Sequence, residues 1–167
     1  MQPADPLHAF AFQGNLQALQ STPPDVQGFR SFSQRGQTVL YAACRSPQTS
    51  CNLVSYLIEQ KGCDVNQANL PTAAGSFPQH GVVQTLLEAV NGTTALNPPF
   101  VQVLLDVLHL LKSKGANMSS KNTQHQQTAL QEFQGFENLM RASAVSHFVP
   151  SFLQVLSYAP AGPPPSA

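Results

Sequence analysis

Leu57-Ile58-Glu59-Gln60-Lys61-Gly62-Cys63-Asp64-Val65 returns, almost position for position, as Leu110-Leu111-Lys112-Ser113-Lys114-Gly115-Ala116-Asn117-Met118. Each copy carries two apolar residues, a polar turn ending in Lys-Gly, a small residue, an Asp or Asn, and an apolar residue. The two glycines stand 53 residues apart. A glycine just past an apolar helical stripe supplies the left-handed turn that stops the helix, so one helix-to-loop junction is used twice. Self-similarity of this kind marks a chain built from stacked units, none of which can bury its apolar face alone.

Working outward, the apolar residues fall into helical rather than alternating clusters. Before the first copy, Thr38 is placed to cap a helix through Val39, Leu40, Ala42, Ala43 and Cys44 that ends at Ser46-Pro47. Its partner runs from about Ser50 to Lys61, with Leu53, Val54, Leu57 and Ile58 on one stripe. The small Ala42, Ala43 and Cys44 suit close approach between neighbouring helices. Further upstream, Asp5-Pro6-Leu7-His8 opens a helix with an acidic cap and a proline where its missing N–H costs nothing, closing at Gly14. A short helix from Leu16 to about Gln20 follows.

Downstream, Val82, Val83, Leu86, Leu87 and Val90 form another stripe, and Asn97-Pro98 restarts a helix that continues to Gly115. That helix is apolar nearly all round and must be covered on several sides. Its apolar core, Phe100 to Leu111, is interrupted by Gln102, Asp106 and His109 and falls short of the ~20 residues that span a bilayer. Two more helices are expected, one from Thr128 through Leu130, Phe133 and Leu139, the other from His147 through Phe148, Phe152, Leu153 and Leu156. Residues 159–167 carry four prolines and read as a disordered tail.

These residues resemble the ankyrin repeat family, whose unit of ~33 residues is a turn, a helix opened by Thr-Pro-Leu-His, a second helix, then Gly-Ala and a loop with Asn. Gly36, Thr38, Leu40, Ala43, Leu53, Val54, Leu57, Ile58, Gly62, Asp64, Val65 and Asn66 stand where the pattern wants them, with Tyr41 in the His position. Pro6, Leu7, His8, Ala11 and Gly14 fit an earlier unit. The resemblance implies an all-α, short, irregular solenoid of about four helix pairs within residues 1–158, with units at 4–34, 35–66, 67–119 and 120–158. The third unit is swollen by roughly twenty residues over the family period and lacks the Thr-Pro-Leu-His start, and the last lacks the Gly-Ala ending.

Charge narrows the function. The 167 residues hold 8 Lys+Arg and 8 Asp+Glu, a formal net charge of zero, and only 10% are charged. Backbone binding to nucleic acid needs a basic patch, and a polybasic membrane anchor needs the same, so neither is expected. Three cysteines, Cys44, Cys51 and Cys63, are too sparse for a stapled secreted scaffold, and the first residues show no secretory signal. The expected setting is intracellular, in cytoplasm or nucleus.

No catalytic constellation stands out. Cys44 or Cys51 with His80 or His109 would be the components of a thiol enzyme, but none lies in a nucleophile motif, and no close Cys or His pair has zinc spacing. Neither a metal nor a cofactor is expected. His8, in the family's His slot, is expected to bridge neighbouring loops. His80, His109, His125 and His147 are scattered.

What remains is recognition by loop tips and the concave face. The candidate contacts are Phe29, Arg30, Phe32 and Arg35 before the second unit, Gln67, Asn69 and Leu70 before the third, and Lys121, Asn122 and His125 before the fourth. The expected function is a non-catalytic module, monomeric by itself, binding a protein or peptide. A substrate-recruiting or regulatory domain of a larger signalling enzyme, in ubiquitin or ADP-ribose chemistry, is the alternative. With so few charges, binding should depend weakly on salt.

Overall fold

Asn15, Thr38, Ser50, Asn97 and Thr128 each turn a side-chain oxygen onto the N–H three residues further on, at 3.0–3.1 Å. Each satisfies a donor that the first helical turn leaves without an intrahelical partner. These caps start five of the helices in the computed structural model, which describes residues 6–21, 32–33, 35–92 and 96–157. The helices are α1 (Pro6–Phe12), α2 (Leu16–Gln20), α3 (Val39–Cys44), α4 (Cys51–Glu59), α5 (Pro78–Val90), α6 (Pro98–Ser113), α7 (Ala129–Gln134), α8 (Glu137–Arg141) and α9 (Val149–Leu156). Among the described residues there is no strand, only one antiparallel bridge between Phe32 and Thr38.

The packing follows chain order. α1 lies against α3, α3 against α5, and α5 against α7. On the other side α4 lies against α6 and α6 against α9, while α1 pairs with α2, α3 with α4 and α5 with α6. All six residues of α3 are buried. Gly81 of α5 faces the Tyr41 ring so closely that a Cβ there would meet it at 3.1 Å. The small residues of α3 and Gly81 together set the spacing of these two helices.

α6 justifies its composition. It packs on α4, α5 and α9, burying Val101, Leu104, Leu105, Val107, Leu108 and Leu111, with Gln102, Asp106 and His109 on the exposed side. At ~1.5–3 kcal/mol for each fully buried aliphatic side chain, this helix is a central contributor to the core. At the C-terminal end Phe133 stacks on Phe152 with ring centroids 5.6 Å apart and meets Phe136 edge-on at 5.4 Å.

One expectation changes. The helix expected from Thr128 through Leu139 is divided at Gly135-Phe136, because Phe136 turns inward against Phe133. Met140 is consequently buried and Leu139 is 54% exposed. α5 and α6 are longer than the pair before them, with 13 and 16 residues where α3 and α4 have 6 and 9. No helix among the described residues is long and apolar enough to cross a membrane.

Candidate functional site

Ahead of α3, α5 and α7 the chain makes the same short loop three times. The stem is closed by a backbone bond onto the residue before the helix cap: Ser33 N–H to Gln37 O at 2.8 Å, Asn69 N–H to Ser76 O at 2.8 Å, and Asn122 N–H to Gln127 O at 2.9 Å. Two residues before each cap the backbone enters the left-handed region, at Gly36 (φ 82°), Gly75 (φ 61°) and Gln126 (φ 54°). Successive loops are joined edge to edge. Leu70 N–H donates to Gly36 O at 2.8 Å, and Thr123 N–H donates to Ala74 O at 2.9 Å.

The third residue of each following helix then makes a different bond at an equivalent place. His80 Nδ1 accepts the Phe77 N–H at 3.0 Å, so the ring proton sits on Nε2, which points at Gln127 O at 2.9 Å. Gln131 reaches back to accept the Thr128 N–H at 2.9 Å. Tyr41 points onward instead and donates its hydroxyl to Gln84 Oε1 at 2.6 Å, while the Thr38 N–H is taken by Asn69 Oδ1 at 2.9 Å.

Residues 35–67 match the ankyrin repeat. The match covers one unit of the family's ~33-residue period. No curated protein matches the chain.

α5 starts at Phe77-Pro78-Gln79-His80, preceded by Gly75-Ser76 as Thr38 is preceded by Gly36-Gln37. Phe77 stands where α3 and α7 have a Thr cap. His80 is fully buried, bridges to the next loop through Gln127 O, and is held neutral because burial pushes its pKa down. His8, in the corresponding place in α1, is buried as well. The two helix-to-loop junctions, after α4 and after α6, are tied to one another through Asn66. It donates from Nδ2 to Gly115 O at 3.0 Å and accepts the Asn117 N–H on Oδ1 at 2.8 Å. Lys114 and Glu59 pair alongside.

The candidate contact residues divide. Phe29 and Arg30 lie outside the described residues. Arg35 and Leu70 are exposed on loops that touch through the Leu70–Gly36 bond, Lys121 is exposed, and Gln67 and Phe32 are half-buried. Asn69 and Asn122 need correcting as contacts: both are buried, and their side chains hold the loops in shape. Asn69 caps Thr38 N–H, and Asn122 accepts the His125 N–H at 3.0 Å while donating to Glu132 Oε2 at 2.6 Å.

Between the 122–127 loop and the helices behind it lies a cleft of about 360 Å³. One wall is Val83 and Leu87 of α5 with Phe136; the rim is Gln124 and His125. On its polar side stand Gln84 and Glu132, residues that loop-centred reading missed because they sit on the helices. Burial pushes the Glu132 carboxyl up to about 7, against the opposing influence of Asn122 and Gln84. Burial likewise pushes the Tyr41 hydroxyl up to about 12. Next to it Arg45 forms a bidentate pair with Glu88.

The cysteines present the opposite of an activated thiol. Cys44 is fully buried and burial drives its pKa upward, while Cys51 is also raised, by burial and then by Asp106. A nucleophilic thiol needs the reverse shift. His80, named as a partner for them, has both ring nitrogens engaged elsewhere.

Proposed function

We propose that the chain is a protein-interaction module of four ankyrin-type units, 4–34, 35–66, 67–119 and 120–158, stacked as a short solenoid. It holds an extended segment of a protein partner along the face formed by the loops and by α3, α5 and α7. The observation that carries the reading is the open cleft between the 122–127 loop and α5 and α7, walled by apolar side chains and rimmed by polar ones. Stacked units with a shared concave surface bind in this way, and apolar walls with a few placed polar groups are the usual composition of a binding cleft. The contiguous order of packing, α1 on α3 on α5 on α7, supports the stacked arrangement. Were the chain joined to a catalytic domain, the same face would serve to recruit substrate.

The test is position-specific photocrosslinking. A benzoylphenylalanine at Gln124, on the cleft rim, should give a discrete cross-linked partner in cells, and one at Asp106, on the exposed side of α6, should not. Equal labelling from both positions would refute the assignment of the binding face.

A further inference from the structure

Glu132 is the one acid on the cleft wall described above, and its two oxygens differ. Oε2 accepts from Asn122 at 2.6 Å. Oε1 is buried and completes no hydrogen bond of normal geometry, although the Gln84 amide is near enough to favour the charged carboxylate. Arg45, beside Tyr41 on α3, is committed to Glu88. Among the residues lining the cleft there is neither lysine nor arginine. A half-enclosed carboxylate with no counter-ion among the lining residues is an unfavourable arrangement for the free protein, and a ligand that brings a positive charge relieves it.

We propose that this cleft takes the cationic side chain of an arginine or lysine on the partner segment, with Glu132 as its counter-ion and Leu87 and Phe136 covering the methylene stem. The inference rests on the cleft being the partner-binding face and names what it selects. Long basic side chains lay their methylenes on apolar surface and keep the charge at the polar end, which is how the cleft is divided. Binding then draws the proton off Glu132, because a nearby cation favours the ionised carboxyl. Glu132 in the free protein titrates near 7, so affinity for the cation should drop about tenfold between pH 8 and pH 6. The titratable groups that face Glu132 are Tyr41 on α3 and His125 on the loop. His80 is engaged on both nitrogens. H125Q separates the contribution of the rim histidine.

The experiment uses the full chain, 15N-labelled, titrated with acetyl-Gly-Arg-Gly-amide and with the same tripeptide carrying lysine or citrulline. The arginine and lysine peptides should move the amides of Gln84, Gln124 and Gly135, with millimolar affinity that falls about tenfold from pH 8 to pH 6 in both the native chain and H125Q. E132Q, folded and measured at pH 8, should lose at least tenfold. Equal binding of the citrulline peptide, or undiminished binding to E132Q, overturns the cation site while leaving the cleft as a partner face. The absence of any shift at Gln84 with all three peptides overturns it too. The cross-linking from Gln124 judges the interaction reading separately.

Discussion

The loop and helix start at residues 33–41 and those at 69–80 perform the same task with different residues. In the first, Thr38 caps the helix with its own hydroxyl, and the residue in the His slot is a tyrosine that reaches forward to Gln84. In the second, Phe77 has no side-chain acceptor, proline removes one donor, and His80 accepts the Phe77 N–H while bridging to Gln127 O. What is held constant is the pattern of satisfied backbone groups: a stem bond, a left-handed residue two before the cap, and a link to the next loop. Side-chain identity is free to change wherever another group can close the same bond.

The sharpest way to break this equivalence is to remove His80. H80A should destabilise the protein by about 3 kcal/mol, through a buried cavity and the loss of two hydrogen bonds to backbone. Y41F removes a single bond to Gln84 and should cost about 1 kcal/mol. Urea unfolding measures both, and similar costs for the two would mean that the histidine is not the joint described. His80 also adds acid sensitivity. Its pKa is lowered by folding, so the unfolded chain takes the proton first, and this share of stability is present above about pH 6.5 and lost as pH falls below it. H80A should flatten that part of the profile.

The next effect in size concerns the left-handed position. A Cβ at Gly75 would lie 2.5 Å from Thr123 Oγ1 and 2.8 Å from its Cγ2, on the neighbouring loop, in addition to the strain of φ +61°. At Gly62 a Cβ meets nothing within 4 Å. G75A should therefore cost about 2 kcal/mol, and G62A about 1 kcal/mol from backbone strain alone. Thermal unfolding that ranks them the other way would show that the loops do not stack as tightly as the Gly75–Thr123 approach requires.

Much of this was readable in the chain because helix caps and apolar stripes are local signals. Thr38, Ser50, Asn97 and Thr128 announce their helices within four residues, and the match of residues 35–67 to the ankyrin repeat follows from side chains at fixed spacing. The start of α5 was less legible. Phe77 offers no side-chain acceptor where α3 and α7 carry a Thr cap, and α5 and α6 are longer than the helices before them. The candidate site was only partly legible, because loop position alone does not say whether a polar side chain faces water or the loop interior. Asn69 and Asn122 read as contacts and prove to be internal struts, while Glu132 and Gln84 lie on helices whose exposed side only the stacking of α5 on α7 defines.

Glu132 supplies a smaller, pH-dependent test of the contrast between the two regions, since the 33–41 region faces a paired cation at Arg45 and the 122–136 region faces none in its cleft. Folding raises the Glu132 pKa to about 7. Its protonated form favours the fold, so its contribution is fully present below about pH 4.5 and is lost as pH rises through 7. E132Q should be as stable as the native chain at pH 4.5 and more stable at pH 8. The gain should be about 1 kcal/mol once solvent screening at this partly open site is counted. Paired melting curves at the two pH values decide it, and a destabilised E132Q at pH 8 would mean that the carboxylate is already compensated.

The smallest effect is the most direct on backbone equivalence. Gln126 occupies, with φ 54°, the place that Gly36 and Gly75 take in the two preceding loops. A non-glycine residue there pays roughly 1 kcal/mol in steric strain, offset in part by the bond from its Nε2 to Thr123 O at 3.3 Å. Glycine relieves the strain and forfeits that long bond, and it also leaves the unfolded chain freer, which opposes the gain. The balance should leave Q126G about 0.5 kcal/mol more stable than the native chain, whereas Q126A, which keeps the strain and loses the bond, should be less stable. If both substitutions destabilise equally, the Gln126 side chain rather than its backbone conformation is what the loop requires, and the 122–127 loop is not built as the two before it are.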